Sequence, residues 1–133
     1  MNWNNKIVPF EVLKGKTIIE VVDLEKGSGS AQLICSDGTS YNMEYYPDCC
    51  ATADIEDICG DVEDILNSEI LLAEEVSSNE NPEGVKPEYQ DSFTWTFYKL
   101  STIKGSITIR WYGESNGYYS ESPTFELIDG AKK

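Results

Sequence analysis

The chain has no histidine and a single arginine, Arg110, among its 133 residues. The missing histidine removes the commonest general base and a common metal ligand. A cysteine or serine nucleophile would have no imidazole beside it. Lysine and arginine total 10 against 24 acidic residues, for a net charge of −14. That balance repels phosphate and excludes direct nucleic-acid binding, which needs clustered basic side chains. No apolar run approaches the roughly 18 residues of a membrane span. The start, "MNWNNKIVPFEVLKGK", lacks the basic and apolar regions of an export leader. A cytoplasmic protein in the host cell, without a membrane partner, is the expectation.

Signature motifs are missing too. There is no Walker A loop, no GxGxxG and no GxSxG. The four cysteines, Cys35, Cys49, Cys50 and Cys59, contain no CxxC pair. A structural zinc site wants four Cys or His ligands at paired spacing. Cytosolic cysteines stay reduced, and Cys35 is expected as a small buried hydrophobe. Residues 54–65, "DIEDICGDVEDI", place carboxylates at the first and third positions of a calcium loop. The pattern then fails, with Cys59 where glycine is needed and Ile65 where glutamate is needed. No catalytic residue, metal or cofactor is expected, and the reading is of a protein that is not an enzyme.

What is present reads mainly as strand, in one domain over residues 1–133. Residues 16–24, 31–35 and 40–46 form a β-meander, with Asp37-Gly38 as a hairpin turn. Residues 69–75, "EILLAEE", carry the apolar run of a buried strand. Residues 92–103 and 106–113 form a long hairpin. In its second arm Ile107, Ile109 and Trp111 face one way, and Thr108, Arg110 and Tyr112 the other. Asn116-Gly117 is a hairpin signal, after which residues 118–128 return as a further strand, which Pro123 places at an edge or bulge. Asp61 is a helix N-cap with Asp64 three residues on. The expected fold class is α+β, predominantly antiparallel β, with six or seven strands and one short helix near 61–67.

Two constellations carry the functional reading. Residues 44–91 hold fifteen acidic residues and one lysine, Lys86. Within them Asp54, Glu56, Asp57, Asp61, Glu63 and Asp64 are the candidate acidic surface, and residues 76–92 are expected as a mobile acidic loop. The second constellation is aromatic. Arg110, Trp111, Tyr112, Asn116, Tyr118 and Tyr119 are candidates for holding a small planar anionic ligand. Aromatic pairs also pack across strands without any ligand.

The segments "LKGKTI", "DCC", "IEDICGD", "ILLAEE", "SFTWTFYKL" and "TIKGSITIRWYGESNGYYSE" resemble an uncharacterised family of small bacteriophage and prophage proteins, over residues 13–125. The resemblance implies a phage or prophage origin and no mechanism.

Charge selects among functions. A field this negative suits a basic surface on another protein. The first expectation is therefore a non-enzymatic phage accessory protein, an acidic inhibitor covering a nucleic-acid-binding surface of a host or defence protein. Its carboxylates should then project from one face. The alternatives are a nucleotide-signal binder using the aromatic and arginine cluster, and a virion structural component.

Overall fold

The computed structural model describes residues 5–47, 51–78, 92–115 and 121–128. Among them nine strands form two antiparallel sheets. The strands are β1 (Lys6–Ile7), β2 (Ile18–Val22), β3 (Ser30–Cys35), β4 (Ser40–Glu44), β5 (Ala51–Cys59), β6 (Leu72–Ser78), β7 (Ser92–Thr102), β8 (Gly105–Ser115) and β9 (Thr124–Leu127). The first sheet runs β1-β9-β4-β3-β2 and the second β5-β8-β7-β6.

Period-two patterning explains why the two sheets share a core. In β3, Ala31, Leu33 and Cys35 point inward; in β8, Ile107, Ile109 and Trp111 do. Apolar alternation of this kind buries one face of each sheet. Phe10, from a 3₁₀ turn at Phe10–Leu13, fills the space between the sheets. Its ring lies 4.7 Å from Tyr98 of the second sheet and 4.9 Å from Phe125 of the first. Burial pushes the Tyr98 phenol far above its ordinary value, so it stays neutral. The loop after β2 also ties the sheets together: Gly27 N–H donates to Ile55 O at 2.7 Å, and Ile55 N–H to Ser28 O at 2.8 Å.

The meander forms as its sequence directs. At its turn Gly38 takes φ 90°. The Asp37 carboxylate accepts Lys16 Nζ at 2.6 Å and Thr39 N–H at 3.0 Å. The lysine, first, and Thr39 hold that carboxyl far below its usual range.

Four expectations change. The short helix near 61–67 is a four-residue 3₁₀ turn, Val62–Ile65, and no α-helix occurs among the described residues. Asp61 does cap it, accepting Glu63 N–H at 3.0 Å. The chain is then captured by the first sheet: Leu66 bridges Ile18, and Asn67, at φ 62°, donates its N–H to Ile18 O at 2.7 Å. Tertiary pairing ends the helix after one turn, where α-propagation would need several more residues. Secondly, the expected six or seven strands are nine: Lys6–Ile7 adds a strand, and the acidic segment from Ala53, which reads as a short strand or turn before the helix, lies in a full nine-residue strand, Ala51–Cys59. Thirdly, β6 is not buried. It is the outer strand of its sheet, with Leu71, Leu72 and Val76 exposed at 51%, 44% and 38%.

Lastly, β9 does not pair with β8. It crosses to the first sheet and lies between β1 and β4, so it is not an edge strand. Pro123 immediately precedes it, where a missing N–H interrupts no ladder. Of the expected acidic loop 76–92, Val76–Ser78 continues β6 and Ser92 opens β7. Residues 79–91 lie outside the described residues.

Candidate functional site

The outward face of the second sheet gathers most of the chemistry. Strand alternation and register decide which side chains reach it. From β8 come Thr108, Arg110, Tyr112 and Glu114; from β7, Phe93, Trp95, Phe97 and Lys99. Trp95 pairs Tyr112, and Phe97 pairs Arg110. Trp95 is fully buried although it points away from the shared core. Its ring lies 4.6 Å from that of Tyr112 and beneath the Arg110 guanidinium at 5.1 Å. That is cation–π geometry.

β5 supplies the acids through a bulge. Ile55 pairs Trp111 and Asp57 pairs Arg110, leaving Glu56 as the extra residue. A bulge of this kind sets two residues against one on the partner strand. Glu56 and Asp57 are thus both brought to the one arginine. Glu56 Oε1 takes Arg110 Nε at 2.7 Å and Nη2 at 2.5 Å, and Asp57 Oδ2 lies 4.0 Å from Nη2. Lys26 Nζ is 3.5 Å from Asp57. The Ile58 N–H donates to Asp57 at 2.9 Å. That bond first, then Lys26 and Arg110, lower the Asp57 carboxyl below its ordinary value. The bulge also resets the alternation, so that Ile58 packs on the core after Ile55.

Asp54 stands opposite Tyr112, and among the described residues no ion pair reaches it. Burial pushes its carboxyl up, and the charge of Glu56 adds to the shift. The folded protein then binds this proton more tightly than the unfolded chain. An ionised Asp54 opposes folding at neutral pH, and stability returns as pH falls through its folded pKa. Asp54→Asn should therefore raise the thermal midpoint at pH 7, with the gain shrinking towards pH 4. Melting curves of both proteins across that range check it.

The six predicted acids fall into two groups. Asp54, Glu56 and Asp57 share the outward face of β5. Asp61, Glu63 and Asp64 lie beyond Gly60 in the 3₁₀ turn, where two of them do structural work. Asp61 caps the turn, and the Asp64 backbone carbonyl accepts the Thr102 hydroxyl. Glu63 is exposed.

The aromatic candidates also divide. Arg110 and Tyr112 are on the face described; Trp111 is fully buried in the core on the opposite side. Asn116, Tyr118 and Tyr119 lie outside the described residues, as do Cys49 and Cys50. Cys35 is buried, which raises its thiol pKa, and Cys59 is exposed. Sequence reasoning missed the bulge. Its signal is the three-residue step from Ile55 to Ile58, which breaks an otherwise strict period of two. It also missed Phe93 and the carboxylate of Glu121, which accepts the hydroxyls of Ser92, Thr94 and Ser115 at 3.1, 2.9 and 2.5 Å.

Among the described residues no group of three or more Cys, Asp or Glu side chains is placed to hold a metal ion. No helix among them is long and apolar enough to cross a membrane. A family profile described as "Domain of unknown function (DUF7448)" matches residues 11–125. The chain belongs to this family. The DUF7448 match runs from within the first 3₁₀ turn to the start of β9; it takes in β2–β8 and so the whole outward face, and leaves out β1. No curated protein and no solved structure matches the chain.

Proposed function

We propose that this DUF7448 protein is a non-enzymatic, acidic binding protein. Its target is a basic, nucleic-acid-binding surface on another protein, the kind of host or defence protein that a phage accessory inhibitor would occupy. One observation carries the reading: the bulged strand β5 turns Asp54, Glu56 and Asp57 outward beside the half-buried rings of Phe93, Phe97 and Tyr112, which are backed by the buried Trp95. Interfaces are built in this way, with aromatic anchors at the centre and a polar rim. Arg110 and Lys26 are the two cations that pair with Glu56 and Asp57 among the described residues, so Asp54 carries the local negative charge and the net charge of −14 supplies the wider field.

The nucleotide-binding alternative is less well supported. It needs a guanidinium ready for an anion, yet Arg110 is held by Glu56 at 2.5 Å. It also needs Trp111 at a surface, and that ring is in the core.

The test uses bacterial DNA-binding proteins eluted from DNA-cellulose and passed over the immobilised protein. Retention at low salt, released at about 0.3 M salt where the screening length is roughly 5–6 Å and displaced by duplex DNA, is the expected result. No retention, or retention indifferent to salt and DNA, contradicts the proposal.

A further inference from the structure

Strand β7 carries hydroxyls on the face that a buried strand usually gives to aliphatic side chains. Thr94, Thr96, Tyr98 and Thr102 share with Leu100 the side that looks towards the first sheet. The threonines at the two ends find acceptors in the protein. Thr94 donates to the Glu121 carboxylate at 2.9 Å, and Thr102 donates to the Asp64 carbonyl. The middle of the strand has no such provision. Thr96 Oγ1 and Tyr98 OH are fully buried, and neither has a hydrogen-bond partner in the protein. The same holds for Trp111 Nε1 of β8, whose residue is the cross-strand partner of Thr96 on that face.

Cross-strand partners stand with their Cβ atoms about 5 Å apart, and residues two apart along a strand share one face. The three unpaired groups therefore lie on one patch of the inner surface. The rings packed on Tyr98 are Phe10 at 4.7 Å and Phe125 at 6.3 Å, and neither side chain offers a lone pair. The carbonyls of β7 and β8 are committed to the ladder. Native structures pair the large majority of buried polar groups with protein or with ordered water.

The rim of this patch is polar. Glu75 and Ser77 of β6 are the cross-strand partners of Tyr98 and Thr96, and both are exposed. Burial first, and then the charge of Glu75, raises the Tyr98 phenol, yet the phenol makes no hydrogen bond to that carboxylate. Two polar groups that interact beyond hydrogen-bond reach are a usual setting for a bridging water.

The chemistry of these atoms selects the occupant. An indole N–H only donates, whereas the two hydroxyls donate and accept. The occupant must accept and donate as well. The charge of Glu75 disfavours an anion. Among the described residues no group of three or more Cys, Asp or Glu side chains is placed to hold a metal ion. A close-packed core admits only a small molecule. Water meets every condition, and a buried water typically makes about three hydrogen bonds to groups of this kind.

We infer that the inner face of β7 is an ordered-water site, in which water joins Trp111 Nε1 to Thr96 Oγ1 and Tyr98 OH to Glu75. The core is then wet from Thr96 to Tyr98 and dry around Leu100, Ile107 and Ile109.

Oxygen-17 magnetic relaxation dispersion counts waters held inside a protein for nanoseconds or longer, and hydroxyl exchange does not disturb it. It should detect internal water in the parent protein and less of it in Thr96→Val, where valine keeps the shape and loses the hydroxyl. The sign of the stability change is a second readout. Removing a bridged hydroxyl leaves the water, and the group beyond it, short of a partner. Thr96→Val and Tyr98→Phe should therefore each lower the melting midpoint, by about 3 °C. Removing a dry, unpaired hydroxyl relieves a desolvation penalty and leaves the midpoint level or higher. An unchanged or raised midpoint in either variant, no internal water in the parent, or the same amount in Thr96→Val overturns the inference.

Discussion

Gly113→Ala should destabilise the protein by about 3 kcal/mol or more, at the upper end for overpacking in a well-packed site. A methyl group at this position would lie 1.7 Å from the Glu121 carbonyl oxygen, 2.7 Å from its carbon and 3.2 Å from Ala53 Cβ. The first two contacts are backbone, so no rotamer change relieves them. Residue 121 must move, and with it the carboxylate that gathers the hydroxyls of Ser92, Thr94 and Ser115. Glycine here reflects a close approach of two chain segments rather than a turn. Urea unfolding of the variant reads the effect directly. A loss below about 0.5 kcal/mol, the range of an ordinary surface change, would show that residue 121 does not pack on β8.

Phe10→Ala should cost about 4 kcal/mol, within the range measured for deleting a buried aromatic ring. Phe10 is fully buried and touches the aromatic rings of both sheets, tilted against Tyr98 and edge-on to Phe125. Such pairs add to the area term. A domain of this size should melt roughly 10–15 °C lower. The effect should appear as a reduced urea midpoint with an unchanged slope, since the unfolded chain exposes the same surface. A melting point within about 2 °C of the parent, the shift worth less than ~1 kcal/mol, would mean that the sheets close without this ring.

The local part of this fold could be read from the chain. The Asp37-Gly38 turn, the meander and the alternation of β8 follow from period-two patterning and turn chemistry, and burial matches them residue by residue. That alternation separates Trp111 from Arg110 and Tyr112. What the sequence left hidden is non-local. Nothing in "PTFELI" says that β9 joins β4 and β1 rather than β8; that choice rests on Phe125 reaching Phe10 in the core and stacking on Tyr41 of the neighbouring β4. Nothing near Asp61 says that Ile18 will capture the chain after one turn. The candidate site was half legible. The acids of β5 and Arg110 stand out by composition, whereas their meeting depends on the bulge at Glu56. Only the departure from alternation at Ile58 signals that bulge. Asn116, Tyr118 and Tyr119, by contrast, stand out only by residue type and lie outside the described residues.

The central claim is that one face, and not merely net charge, recognises a basic partner. A pair of charge reversals separates the two. Asp54→Lys changes the outward face of β5, and Glu20→Lys changes exposed β2 in the other sheet. Both alter net charge equally. Binding of the retained DNA-binding proteins should weaken at least tenfold for Asp54→Lys, about 1.4 kcal/mol, and remain near parental for Glu20→Lys. Equal weakening by the two variants would reduce the interaction to overall charge and contradict the assignment of this face.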